Sequence, residues 1–197
     1  MIEVSLVIPV KDLDRAKSRL KVPLQTRRSI AEQLMQHTLR TVNASEAVSN
    51  VLVVASDPGI RNYARTLGID CVEDMHDELN GAIQSGLRAA AALWPGRMLG
   101  VLVSDLPCLT SAALDRVVME AIASARPRTV VDRAGTGTTF LSIPAGCDVP
   151  MRFGRGSAQR FAAEGCVPID DAPFEMRADL DTVTDLEDLA RQGQRRA

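Results

Sequence analysis

Three short, almost continuous apolar runs mark the first half of the chain: Val4–Val10, Val51–Ala55 and Leu99–Val103. Runs of this length without alternation are the pattern of strands buried on both faces. Between them, apolar residues recur at helical spacing over about 27–42, 59–67 and 79–93, and Ile69–Val72 adds a further short strand. The order β-α-β-α-β-α-β predicts right-handed crossovers and an α/β fold built as a three-layer, doubly wound, mostly parallel sheet. Ligands of such sheets bind beyond the carboxyl ends of the strands.

The second half is less regular. A helix is predicted over 111–125, and Thr129–Asp132, Thr138–Ile143 and Met176–Leu180 are strand-like pieces separated by Gly and Pro. Thr184-Asp185-Leu186-Glu187 has capping-box spacing and opens a last predicted helix, after which 191–197 should fray. No linker, repeat or low-complexity tract interrupts the chain, so 1–190 reads as one domain.

Composition narrows the classes of function. The 197 residues are 46% hydrophobic and 24% charged, as in ordinary globular proteins with one substantial core. No apolar run approaches the roughly 20 residues of a membrane span, and no leader follows Met1, so a cytoplasmic protein without a membrane partner is expected. Cys71, Cys108, Cys147 and Cys166 form no CxxC pair, which argues against structural zinc and a disulfide scaffold. A net charge of -2, one Trp94 and one Tyr63 offer little to a polynucleotide, so no nucleic-acid partner is expected.

Charge changes the picture in one place. Of 23 basic residues only three are lysines, and Lys11, Lys17 and Lys21 all fall directly after the first strand. Lysine meets phosphate as a compact point charge, so this stretch, with Arg19, is a candidate triphosphate contact. A solvated charged loop is the alternative. Neither G-x-x-x-x-G-K-[ST] nor G-x-G-x-x-G follows the strand, which removes P-loop and dinucleotide-binding readings.

Carboxylates supply the second signal. Val103-Ser104-Asp105-Leu106-Pro107 ends an apolar strand on an aspartate, where doubly wound folds place ligands, although such an Asp could also cap a turn. Asp179-Leu180-Asp181 is more pointed, because residues i and i+2 of an extended segment project to one face and two carboxylates there repel without a cation. Oxygen ligands of this kind suit Mg²⁺, which keeps waters and binding positions for substrate phosphates. Gly135-Thr136-Gly137-Thr138 and Phe153-Gly154-Arg155-Gly156-Ser157 can turn tightly and expose backbone N–H groups to an anion. Asn80 stands near the start of a predicted helix, where it could reach a ribose or base or simply begin the helix. Of the two histidines, His37 reads as structural and His76 as a neighbour of the site.

Taken in order, Pro9-Val10-Lys11 through Ala16-Lys17-Ser18-Arg19-Leu20, Leu79-Asn80-Gly81-Ala82-Ile83, Ser104-Asp105-Leu106-Pro107, Asp132-Arg133-Ala134-Gly135-Thr136-Gly137-Thr138 and Asp179-Leu180-Asp181-Thr182 resemble the phospholactate/phosphoenolpyruvate guanylyltransferases of coenzyme F-420 biosynthesis. The resemblance covers essentially the whole chain. It implies a fold like that of nucleotide-diphospho-sugar transferases and molybdenum-cofactor guanylyltransferases, and transfer of GMP from GTP to a three-carbon phosphoacid. It implies Asp105, Asp179 and Asp181 as ligands of Mg²⁺, with Asp105, Lys17 and Lys11 as the catalytic groups. Lys11, Lys17, Arg19, Asn80 and Pro107 would meet the nucleotide, and Thr138, Gly154 and Ser157 the acceptor. Asp-Arg-x-Gly-Thr-Gly-Thr is similar to the bacterial members, which favours phosphoenolpyruvate over 2-phospho-L-lactate; 3-phospho-D-glycerate is the alternative acceptor. A downstream transferase that takes the unstable product, and a second copy of the chain, are further expected partners. Rival readings are another nucleotidyltransferase, a nucleotide-sugar-dependent transferase with its Asp-x-Asp, or a non-catalytic nucleotide-binding module.

Overall fold

The computed structural model describes residues 3–182 and Asp185. Seven strands form one sheet: β1 (Val4–Val10), β2 (Asn50–Ala55), β3 (Asp70–Glu73), β4 (Met98–Leu102), β5 (Arg128–Val131), β6 (Thr138–Ile143) and β7 (Val167–Pro168). Their order is β3-β2-β1-β4-β6-β5-β7. Only β6 runs against the rest, pairing antiparallel with β4 through Leu102↔Phe140 and with β5 through Val130↔Phe140. The parallel half obeys the predicted crossovers, with Val7 paired to Leu52 on one side and to Val101 on the other.

Among the described residues the helices that cover the two faces are α1 (Leu24–Asn43), α2 (Pro58–Thr66), α3 (Leu79–Leu93), α4 (Ser111–Ile122), α5 (Ser157–Ala163) and α6 (Phe174–Arg177). Alternation along β1 sorts the core. Leu6 and Ile8 pack with Met35 and Leu39 of α1 and Leu114 and Val118 of α4. Val7 turns to the other face, where Ala82 and Ala90 of α3 meet it. Gly86 lets α3 lie close on the sheet, since a Cβ there would stand 2.5 Å from Val54 Cγ2 and 2.7 Å from Val7 Cγ1. Two helix starts are capped by side chains: Asp57 accepts from Gly59 N at 2.6 Å ahead of Pro58, and Thr110 Oγ1 accepts from Ala113 N at 3.2 Å. His37 Nε2 lies 2.9 Å from the Leu109 carbonyl, a link between α1 and the loop before α4 that fits its structural reading.

One predicted strand is corrected. The segment 176–180 is not a strand: a single helical turn, α6, ends at Arg177, and residues 178–181 cross the end of the sheet. It lies against β5 and β6, each already paired on both sides, so no ladder position is open to it there. Instead the segment is tied down locally, Arg133 N donating to Arg177 O at 2.8 Å and Leu180 N to Asp105 O at 3.2 Å. The two-residue β7 was not predicted, because Val167–Pro168 is too short for a periodic signal. The helix expected from Thr184 and the tail 191–197 lie outside the described residues. Among those described, no helix is long and apolar enough to cross a membrane.

Candidate active site

Connections leave the neighbouring strands β1 and β4 toward opposite sides, so a crevice opens at their carboxyl ends. A cleft of about 360 Å³ lies there. The loop after β1 walls one side, Val103–Asp105 and the crossing segment with Asp179 and Asp181 form its floor, and the turns at 136–138 and 153–157 close the other side.

The loop after β1 is shaped by two buried anchors, Leu13 and Leu20. Hydrogen bonds from Arg15 N and Ala16 N to Asp12 O, at 3.0 and 2.9 Å, and from Leu20 N to Lys17 O at 2.9 Å wind it tightly. Lys17 adopts φ 54, the left-handed region that a lysine rarely occupies. Its side chain is turned inward, only 7% exposed, and its ammonium donates to Asp105 Oδ2 and, at 3.3 Å, to Asp181 Oδ1. Burial opposes the ammonium, but the Asp105 carboxylate, joined by Asp181, more than offsets it and raises the Lys17 pKa above its ordinary value. Arg19 reaches Asp181 Oδ2 at 3.1 Å from a largely exposed position, so that contact is worth little. Lys17, read in the sequence with Arg19 as a triphosphate contact, thus also holds the acidic cluster together.

Two features of that cluster call for more positive charge. Asp105 Oδ1 is buried with no hydrogen-bond partner among the described residues. Burial, and then the neighbouring charges of Asp105, Asp181 and Asp132, push the Asp179 carboxyl up to about 7. An all-carboxylate donor set of this kind fits a hard divalent cation. With the side chains as they stand, however, no three His, Cys, Asp or Glu among the described residues form a ready cage, and the Lys17 ammonium bridges Asp105 and Asp181.

The opposite wall is built on two turns, and the first directs backbone N–H groups to its own carboxylate instead of exposing them to the cleft as expected. Asp132, almost fully buried, accepts from Thr136 N at 2.9 Å and Gly137 N at 2.8 Å and so fixes the glycine turn. It is the residue sequence reading left without a role, although its place in Asp-x-x-x-Thr-Gly is the spacing of a carboxylate folded back on its own turn. Beside the turn, Ser157 Oγ donates to Thr138 Oγ1 at 3.0 Å, and both side chains are buried. Gly154, at φ 112, shapes the loop that leads to Ser157. Lys11, Thr138, Gly154 and Ser157 all line the cleft, as their expected roles require.

Asn80 and Pro107 are not among its lining residues. The Asn80 amide is spent on the Phe153 backbone, donating to its carbonyl at 3.1 Å and accepting from its N–H at 2.9 Å. It therefore clamps α3 to the 153–157 loop in the manner of a strand pair, and Phe153 seats edge-on against Phe161 with ring centroids 5.1 Å apart. Asn80→Ala should cost about 1–3 kcal/mol for the two lost bonds. A melting temperature equal to that of wild type would show that the clamp carries no weight. His76 lies outside the cleft too, with Nδ1 3.5 Å from Asp74 Oδ1.

Sheet order and the crevice at the β1/β4 switch place the chain in the α/β nucleotidyltransferase fold. A nucleotidyl transferase from Methanothermobacter thermautotroptrophicus shares this fold, with a TM-score of 0.66 over 99% of both chains at 16% identity. The chain belongs to the family described as guanylyl transferase CofC like, whose pattern matches residues 4–194. It is 37% identical over 193 residues to the phosphoenolpyruvate guanylyltransferase of Salinispora arenicola, covering 96% of this chain and 88% of that protein. It is 38% identical over 191 residues to the one from Geodermatophilus obscurus, covering 92% and 86%.

Proposed function

We propose that this chain transfers GMP from GTP to the phosphate of phosphoenolpyruvate, releasing pyrophosphate, as a step of coenzyme F-420 biosynthesis. Membership of the guanylyl transferase family and the activity named for its relatives support this reading. The observation that carries it is the division of one cleft into an acidic side, at Asp105, Asp179 and Asp181, and a side that carries the hydroxyls of Thr138 and Ser157. A nucleoside triphosphate belongs with the first, at the β1/β4 switch where nucleotides bind in doubly wound sheets. The acceptor then falls to the second.

In the proposed reaction an acceptor phosphate oxygen attacks the α-phosphorus of GTP. The bond from that phosphorus to the α–β bridging oxygen breaks, and pyrophosphate leaves with the electron pair. A phosphomonoester with a second pKa near 6 is largely dianionic at neutral pH, so no protein base is needed. Lys11 and Arg19 hold triphosphate oxygens, while Thr138 and Ser157 orient the acceptor by hydrogen bonds, so that the chain contributes alignment and charge neutralisation. Mg²⁺, when held by Asp105, Asp179 and Asp181, would supply Lewis-acid neutralisation of the phosphate oxygens. With Asp105 and Asp181 engaged by such a cation, the Lys17 ammonium would be available to triphosphate oxygens.

The test is incubation with GTP, Mg²⁺ and, in separate reactions, phosphoenolpyruvate, 2-phospho-L-lactate or 3-phospho-D-glycerate, reading the guanylylated product by mass. The expected result is metal-dependent product with phosphoenolpyruvate as the best acceptor. Absence of product from all three would overturn the proposal.

A further inference from the structure

Three arginines surround the turn between β6 and α5, and two of them serve the protein itself. Arg152 pairs with Glu164 at 3.2 Å. Arg160 donates to the carbonyls of Arg152, at 3.0 Å, and Arg155, at 2.7 Å, and so braces the turn from α5. The third, Arg155, lines the cleft from an exposed position on its rim, and no hydrogen bond or ion pair among the described residues engages its guanidinium. Its backbone is held by Gly154 at φ 112 and Gly156 at φ 76, with the Asn80 clamp on one flank and Arg160 on the other. A charged side chain without a partner is thus presented from a fixed loop, on the same wall as Thr138 and Ser157.

Position decides what it would meet. The reacting phosphate of the acceptor must lie toward the centre of the cleft, close to the α-phosphorus. Any second anionic group on a three-carbon acceptor then extends toward the rim. Guanidinium matches a carboxylate bidentately, and such charge-assisted bonds discriminate strongly against neutral isosteres. We propose that Arg155 is a specificity-determining residue that reads the carboxylate of the acceptor. The inference rests on the reading that the acceptor occupies the β6/α5 side of the cleft, and it adds the chemical feature by which that acceptor is chosen.

The experiment crosses two enzymes with two acceptors. Wild type and Arg155→Ala are assayed with GTP, Mg²⁺ and either phosphoenolpyruvate or its carboxamide analogue, with product read by mass. Wild type should lose about 10- to 100-fold in kcat/KM on exchanging carboxylate for carboxamide. Arg155→Ala should show a loss of that size with phosphoenolpyruvate, none further with the carboxamide, and an unchanged GTP KM. Arg155→Lys, which keeps the charge without the planar fork, should recover part of the loss. Equal losses by the alanine variant on both acceptors, or a raised GTP KM, would overturn the assignment of Arg155 alone. No guanylylated product from wild type with any phosphoacid would overturn the underlying activity, and the inference with it.

Discussion

Asp105→Asn is expected to lower guanylyl transfer by about 10² or more while leaving the fold in place. The substitution is nearly isosteric, and Leu106 and Leu109, both fully buried, keep the loop after β4 anchored. What changes is charge. Asp105 is the main counter-ion of Lys17, and its second oxygen is buried without a partner. In a reaction whose catalysis is alignment and neutralisation, the group at the convergence of β1, β4 and the crossing segment should matter most. Its loss should appear in kcat more than in the acceptor KM, and it should raise the Mg²⁺ concentration needed for half-maximal rate. Circular dichroism and a melting curve serve as controls for folding. Turnover close to that of wild type would remove Asp105 from the proposed cation site.

Lys17→Met should be the most destabilising substitution in the cleft. It preserves side-chain length but strands the Asp105 and Asp181 carboxylates, and because these are themselves 25% and 41% exposed the cost should be about 1–3 kcal/mol, below that of a fully buried pair. For a chain of this size that is a fall in Tm of roughly 2–12 °C. The pH dependence follows from two shifts. The folded pKa of Lys17 is raised above its unfolded value, so its contribution is fully present below about 10.5 and is lost only as pH rises through the higher folded value. Over the working range it is constant. The Asp179 pKa is raised to about 7 from 3.8, so ionisation of that group favours the unfolded chain and stability falls as pH climbs through that window. Lys17 moderates the rise, and removing it pushes the Asp179 carboxyl higher still. The deficit of Lys17→Met should therefore be larger at pH 8 than at pH 6, where Asp179 holds its proton. A Tm unchanged from wild type, or a deficit that grows on acidification, would show that Lys17 is not the clamp of the acidic cluster.

Much of the parallel half was legible because burial on both faces leaves a local mark. Val4–Val10 and Leu99–Val103 read as strands and are β1 and β4 within a residue of their predicted limits, since a continuous apolar run has few other uses. The helices α1 to α4 followed from the helical recurrence of apolar residues. The failure at 176–180 has an equally definite cause. Alternation there is compatible with a strand, but a strand needs an open edge, and β5 and β6, against which this segment packs, are both interior to the sheet. Occupation of an edge is a property of the assembled sheet.

The candidate site divides in the same way. Sequence by itself determined that carboxylates end at the carboxyl edge of β4 and near residue 180, that lysines follow β1, and that two glycine turns are available. These are matters of residue type and position along the chain. Only the tertiary structure decided how they pair. It set Lys17 against Asp105, 88 residues away, and against Asp181, 164 residues away, and drew Asn80 off the cleft to hold Phe153. It also left Arg155 on the rim while turning Arg152 and Arg160 to the protein. Such choices depend on which groups packing brings within hydrogen-bonding distance and which of them burial obliges to find a partner, and neither is encoded in local periodicity.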